Sequence, residues 1–279
     1  MPRGLRLRVF AGPNGSGKST IINDVRRASV NGRPIDFGIY INADDLAQRL
    51  PEGVDLHEFE IEAEEQTFRT FAEGSGLLIP PFDEDAFLRS YTWENNVIRA
   101  RRSAPRDRLA QLLAQFLYQE LLGQRIKFSF ETVFSHRGKL DLMRKATDAG
   151  YKVYLYFIST EDPAINVERV KTIRVGQGGH DVPKDKIISR YYRTMDLLDE
   201  ALSISYHAFL WDNSQTDRPS VLFAEMKKSD AGPDWKIISD NVPLWFMSYF
   251  LLRHKNDPTM MEVYRAALDA FKLRSRSPE

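Results

Sequence analysis

The 279-residue sequence contains no cysteine, which excludes disulfide bridges, thiolate zinc sites and a cysteine nucleophile. It carries no net charge, because 39 Lys and Arg offset 39 Asp and Glu; no global positive field draws it to nucleic acid or anionic lipid. Apolar runs long enough to cross a bilayer are missing too, since the most apolar stretch, VPLWFMSYFLL at 242–252, is too short. The first residues enter a strand pattern with no signal-peptide apolar region, so a cytoplasmic location is the default expectation. Internal repeats and low-complexity segments are absent.

Signatures of three nucleotide-driven machines are also missing. There is no guanine-reading N-K-x-D, which weighs against a GTP switch, and VGQGG at 175–179 is a poor imitation of the L-S-G-G-Q signature of transport ATPases. Motor ATPases usually show an apolar strand ending in Asp-Glu. The candidate strand ends here read INADDL, FSFETV, FIST and FLWDNS.

What is present is FAGPNGSGKST at 10–20, which fits the phosphate-binding pattern G-x-x-x-x-G-K-[ST]. Gly12, Pro13, Asn14, Gly15, Ser16 and Gly17 form a loop whose backbone N–H groups can cradle phosphate, with the helix N-terminus behind it. Lys18 is positioned to bridge the β- and γ-phosphates, Ser19 to ligate Mg²⁺ carried by ATP, and Thr20 to continue the helix. The alternating LRLRVF before the loop and the helical TIINDVRRA after it give the strand, loop and helix in the order the motif requires.

Further short β-rich runs at Leu5–Phe10, Phe37–Ile41, Ile126–Phe130, Tyr151–Ile158 and Tyr206–Trp211 alternate with helical patterns, which implies crossover connections. The expected fold is therefore α/β, a P-loop kinase-like parallel sheet flanked by helices in a single domain over 1–279, with ligand residues at the carboxyl ends of the strands. Residues 219–279 read as a hairpin, turning near Asp230, followed by a helical extension. About eighty residues separate the second and third runs, more than one crossover helix needs. The excess at 74–106 is expected as an inserted helical cap. Its basic cluster of Arg99, Arg101 and Arg102, continuing to Arg106 and Arg108, could hold phosphate or nucleic acid; a solvated or salt-bridged face is favoured, with Glu58, Glu60, Glu62, Glu64 and Glu65 as nearby counter-charge.

Phosphoryl transfer needs a carboxylate near an acceptor hydroxyl and mobile cations over the phosphates. Asp44 follows the second run and is a candidate proton acceptor, with helix capping by Asn42, Asp44 or Asp45 as the alternative. Glu131 closes a very apolar run, where it could bind the acceptor, hold water on Mg²⁺ or cap a helix. Arg169 and Arg174, the glycines at 176, 178 and 179, and Arg190 and Arg193 have the make-up of a hinged lid over 169–193. His180 within it is a substrate contact or a turn residue.

GPNGSGKST, INADDLA, FSFETVFS, GYKVYLYFIS, ERVKTIRVGQGGHDVPKDKIISRYYR and FLWDNS together resemble the zeta-toxin family of P-loop kinases and its chromosomal relatives, in order over most of Leu5–Ser214. The resemblance implies transfer of the ATP γ-phosphate with Mg²⁺ to a hydroxyl of a small molecule, UDP-N-acetylglucosamine in the toxin members, and an antitoxin partner. It suggests Lys18 and Ser19 for phosphate and metal, Asp44 as general base, Glu131 in substrate positioning and Arg169 on the phosphates. The second lid arginine of the toxin pattern has no clean counterpart; His180 lies near its place and Arg174 is the substitute. Two other readings stay open: a kinase of a nucleic-acid end or another phosphorylated metabolite, and a non-catalytic ATP-binding module.

Overall fold

The computed structural model describes residues 4–174, 182–239 and 241–275. In chain order the strands are β1 (Arg6–Ala11), β2 (Ser29–Val30), β3 (Arg33–Pro34), β4 (Ile39–Ile41), β5 (Val54–Asp55), β6 (Tyr91–Glu94), β7 (Val97–Ala100), β8 (Phe128–Thr132), β9 (Lys152–Ser159), β10 (His207–Asp212), β11 (Val221–Ser229) and β12 (Gly232–Ile237). The helices are α1 (Lys18–Arg27), α2 (Ala43–Arg49), α3 (Glu65–Gly74), α4 (Glu84–Leu88), α5 (Arg106–Gly123), α6 (Gly138–Asp148), α7 (Pro163–Arg169), α8 (Lys184–Asp196), α9 (Leu198–Ile204), α10 (Leu244–Tyr249) and α11 (Pro258–Ser275). The fold is α/β, a mostly parallel central sheet flanked by helices. Its chain divides into two compact units, residues 1–36 with 132–279, and residues 37–131.

In the first unit the strand order is β12-β11-β10-β9-β1. β1 and β10 both pair in parallel with β9, Ala11 opposite Phe157 and Asp212 opposite Ser159, so their carboxyl ends lie side by side. β11 and β12 continue antiparallel as the expected hairpin, turning at Asp230 and Ala231. One face of β9 is apolar through Val153, Leu155 and Phe157, all buried, and α6 and α9 pack on β9 and on each other. The period-2 alternation of a strand and the 3.6 period of α6, with Leu140, Met143 and Ala146 inward, meet at this layer.

The opposite face of β9 and β10 carries a ladder of rings. Phe209 stacks on His207 with centroids 4.2 Å apart and on Tyr156 at 5.2 Å, and Phe10 stacks on Tyr156 at 4.5 Å. Buried Arg8 stands among them. A buried guanidinium must find partners: Nε donates to the Asp36 carbonyl, Nη1 donates to the Tyr156 hydroxyl, both at 3.0 Å, and the cation sits 4.8 Å from the Tyr154 ring centre.

The second unit has its own core, in which Phe68 meets Phe87, Tyr91, Trp93 and Phe116 at centroid distances of 5.2–5.7 Å. β4 and β8 pair in parallel, Ile39 opposite Phe128. Residues 74–106, expected as a helical cap, hold the five-residue α4 and then the β6–β7 hairpin, whose second strand also pairs with β5. The cause is local: Asn95 and Asn96 take φ of 48° and 62°, the left-handed pair that a two-residue hairpin turn demands. Asn96 also ties the hairpin down, donating from Nδ2 to the Ile61 carbonyl at 2.8 Å and accepting the Ala63 N–H at 3.1 Å.

The basic cluster lies on a solvated face, with Arg99, Arg101, Arg102 and Arg106 exposed. Arg99 donates to the Glu52 carbonyl at 2.9 Å and Arg101 to the Tyr91 carbonyl at 3.0 Å. Of the acidic run, Glu58 pairs with Arg49 and Glu65 with Arg69.

Candidate functional site

The first unit presents the loop Gly12–Gly17 between β1 and α1. Gly17 is the N-cap of α1 with φ 91°, no side chain caps the helix, and no acidic residue lies in its first turn. That leaves backbone N–H groups and the positive end of the helix for an anion. Lys18 is buried, and its ammonium donates to the carbonyls of Gly12 at 3.0 Å and Pro13 at 2.9 Å, curling over the loop it follows. Ser19 and Thr20 are exposed. Asn14 Oδ1 and Ser16 Oγ are buried atoms without a hydrogen-bond partner in the structure. Natively buried polar atoms left so are uncommon.

Two asparagines brace the loop from outside. Asn166 of α7 is fully buried and donates from Nδ2 to the Asn14 carbonyl at 2.6 Å, while its Oδ1 accepts the Thr160 hydroxyl. Asn213, one residue past β10, donates from Nδ2 to the Ser16 carbonyl at 2.8 Å. Neither is singled out by the sequence motifs. The signal available was their position, Asn213 at the carboxyl end of β10 and Asn166 on the helix that follows β9.

Arg169 closes α7. Its Nη1 donates to the Asn213 carbonyl at 2.7 Å and its Nη2 to the Gln215 carbonyl at 3.0 Å. Burial pushes its pKa down from the usual arginine value, against the opposing charges of Asp212 and Glu168. A π-helical turn, Val170–Arg174, follows. The Arg174 side chain and His180 lie outside the described residues. α8 then carries Arg190 and Arg193; both cations, with Lys139 and above all burial, hold the His136 pKa down. Thr194 of α8 donates to the Val133 carbonyl at 2.7 Å, joining α8 to the turn that carries His136.

The second unit carries the two carboxylates. Asn42 is the N-cap of α2, its Oδ1 accepting the Asp44 N–H at 2.9 Å. Asp44 is therefore not the cap; it lies in the first helical turn and is exposed. Glu131 Oε2 accepts the Tyr40 hydroxyl at 3.4 Å and Asn42 Nδ2–H at 3.3 Å, so one asparagine serves both the helix and the carboxylate. Buried Tyr118 packs on Phe130 with centroids 4.6 Å apart. Its pKa is pushed up by burial first and by Tyr40 and Glu131 after that, which keeps the phenol protonated. Among the described residues no group of three His, Asp or Glu side chains is set to hold a metal ion, and no helix is long and apolar enough to cross a membrane.

A strand ending in a glycine loop that opens a helix, on a mostly parallel sheet, is the architecture of P-loop kinase-like proteins. Comparison of the fold agrees. A chain of the native AvrRxo1-ORF1:-ORF2 complex aligns over 96% of this chain and 75% of its own, at 13% identity and a TM-score of 0.51. A chain of the same complex with ATP aligns over 97% and 76%, at 12% identity and 0.47. One from the PezAT chromosomal toxin-antitoxin system of Streptococcus pneumoniae aligns over 79% and 71%, at 15% identity and 0.43. No family model matches the sequence, and neither does any curated protein. At these identities the likeness concerns the fold alone.

Proposed function

We propose that the protein is an ATP-dependent kinase that transfers the γ-phosphate to a hydroxyl of a small molecule. The observation that carries the reading is the loop Gly12–Gly17 with Lys18 folded over it, in front of a helix N-terminus free of acidic side chains. The orphaned Ser16 Oγ and Asn14 Oδ1 fit a ligand that brings hydrogen-bonding groups into the loop. Exposed Ser19 is the residue that would hold Mg²⁺, which shields the phosphate charge when bound and takes most of its other ligands from phosphate and water.

In this reading Lys18 exchanges the two loop carbonyls for phosphate oxygens and follows the charge that moves with the γ-phosphoryl group. Arg169 holds the 213–215 backbone, and turns to the phosphates if the lid over 169–193 closes; Arg174 is the second cation proposed for that lid. Asp44 accepts the proton of the attacking hydroxyl. Glu131, held by Tyr40 and Asn42, positions the acceptor, with His180 as a further substrate contact.

UDP-N-acetylglucosamine is the first acceptor to test, and an antitoxin the first protein partner; both come from the sequence resemblance. A metabolite extract supplied with γ-labelled ATP and screened for labelled product tests the function, with Lys18→Ala as control. Label transfer by the parent and none by the variant is the expected result; ATP bound but neither hydrolysed nor transferred would leave a non-catalytic ATP-binding module. The nucleic-acid-end reading rests on the basic cluster, in which Arg99 and Arg101 each hold one backbone carbonyl through Nε and remain exposed.

A further inference from the structure

A series of hydrogen bonds links α10 to the end of β10, beside the residue that braces the phosphate loop. Glu161, just past β9, accepts the N–H groups of Leu244 at 2.8 Å and Trp245 at 3.0 Å, one on each carboxylate oxygen. The Trp245 indole N–H donates to Asp212 Oδ1 at 3.0 Å, and the same oxygen accepts the Ser214 hydroxyl at 2.6 Å. Ser214 Oγ in turn accepts the Glu161 N–H at 2.9 Å, which closes a ring of polar contacts around the end of β10. Between Asp212 and Ser214 stands Asn213, whose side chain holds the Ser16 carbonyl. Every bond in the series lies within the first unit.

Packing alone does not account for this arrangement. The Trp245 ring is buried against Phe157 and Phe223, with centroids 5.8 and 5.4 Å away; phenylalanine would fill much of that space without an N–H. A buried indole N–H needs an acceptor, and the one it has is the residue next to the brace of the loop. The carboxylate accepts two donors on one oxygen and is thereby fixed in direction.

We infer that Trp245 and Asp212 are positioning residues for the phosphate loop, so that the helical extension, lying after the sheet in sequence, sets the geometry in which nucleotide is bound. The inference rests on the proposed kinase reading for its link to ATP, but its mechanical part does not. Trp245→Phe removes the N–H and keeps an aromatic ring. Asp212→Asn keeps Oδ1 as acceptor and removes the charge. Ser214→Ala cuts the ring at a half-buried site and serves where Trp245→Phe does not fold.

The experiment is amide hydrogen exchange on the nucleotide-free full chain, paired with ATP titration of the same proteins. Trp245→Phe and Ser214→Ala should exchange faster at 12–17 and 213–216 than the parent, with the α6 and β9 amides unchanged, and Asp212→Asn, which keeps the acceptor but not its charge, should fall between them and the parent. ATP affinity should fall about three- to tenfold in the first two variants, as loss of a fraction of one charge-assisted hydrogen bond implies. Unchanged exchange at 12–17 in both variants overturns the inference whatever the protein does with ATP. Acceleration spread equally over α6 and β9 also overturns it, because the role is then general stability. Faster exchange confined to the two loops, in a parent that does not bind ATP, upholds the mechanical link and removes the kinase reading instead.

Discussion

Asn213 and Ser16 are 197 residues apart in sequence and 2.8 Å apart in space, the side-chain amide of one donating to the carbonyl of the other. The contact is made across the position of Gly17. A Cβ on Gly17 would stand 2.3 Å from Asn213 Nδ2, and the residue has φ of 91°, a conformation that costs an L-residue about 1–2 kcal/mol.

Gly17→Ala should therefore do more than strain one residue, because the methyl group displaces the amide that holds the loop. The expected result is a fall in thermal stability equivalent to about 2 kcal/mol or more, with weaker ATP binding. Gly74→Ala is the control, since a Cβ there meets nothing within 4 Å. Calorimetry and nucleotide titration of both variants check the pair; equal behaviour would mean that the loop tolerates the change.

Lys18→Ala removes the ammonium that donates to Gly12 and Pro13. Phosphoryl transfer should fall by about 10²-fold or more, because a preorganised charge in a dry site contributes several kcal/mol to the transition state. Single-turnover measurement with saturating ATP separates this from weakened binding. Near-parental turnover in the variant would refute the assignment.

A pH prediction follows from His207. Burial is the largest influence and pushes its pKa below the usual 6.5, with Lys227 adding to the fall and Glu225 opposing it. Above 6.5 the residue is neutral in both folded and unfolded chains. As pH drops through 6.5 toward the lowered folded value, the unfolded chain takes the proton first, and stability is lost. His207→Gln should be less stable than the parent at pH 7, having lost the ring stacked on Phe209, yet should lose less stability between pH 7 and pH 5. The comparison isolates His207 from Glu161, whose raised pKa acts in the opposite sense. Parallel stability curves for the two proteins would rule out the histidine.

Much of the fold was legible because it depends on local patterns. The run Tyr151–Ile158 became β9 at Lys152–Ser159, and Tyr206–Trp211 became β10 at His207–Asp212, each within one residue. The β6–β7 hairpin within 74–106 is hard to read from the sequence because its strands are four residues each, although its turn, Asn95-Asn96, suits a two-residue connection. At the candidate site, Lys18 and the glycines are recognisable from spacing alone. The bracing roles of Asn166 and Asn213 are not, since each is a bond of a side chain to the backbone across 152 or 197 residues. Arg8, in a strand that reads as alternating, is buried by the aromatic face that receives it, and nothing local announces that face.

The last prediction separates chemistry from architecture at the start of α2. The structure divides two roles that the sequence left together: Asn42 caps the helix, accepting the Asp44 N–H at 2.9 Å, and Asp44 sits exposed in the first turn. Asn42→Ala should cost about 1 kcal/mol of stability through the lost cap. It should also disturb Glu131, because Asn42 Nδ2 donates to that carboxylate at 3.3 Å. Asp44→Asn removes no cap and gives up a favourable charge at the helix N-terminus, about 0.3–1 kcal/mol. If Asp44 is the general base, its asparagine variant should fold, bind ATP like the parent and lose roughly 10²-fold or more in kcat, since an amide takes no proton from a hydroxyl near neutral pH. Asp45→Asn, one position along the same exposed turn, is expected to stay active. Steady-state kinetics of the three variants decide the matter. Loss in Asp45→Asn with Asp44→Asn active moves the base by one residue, and full activity in both moves the search to Glu131.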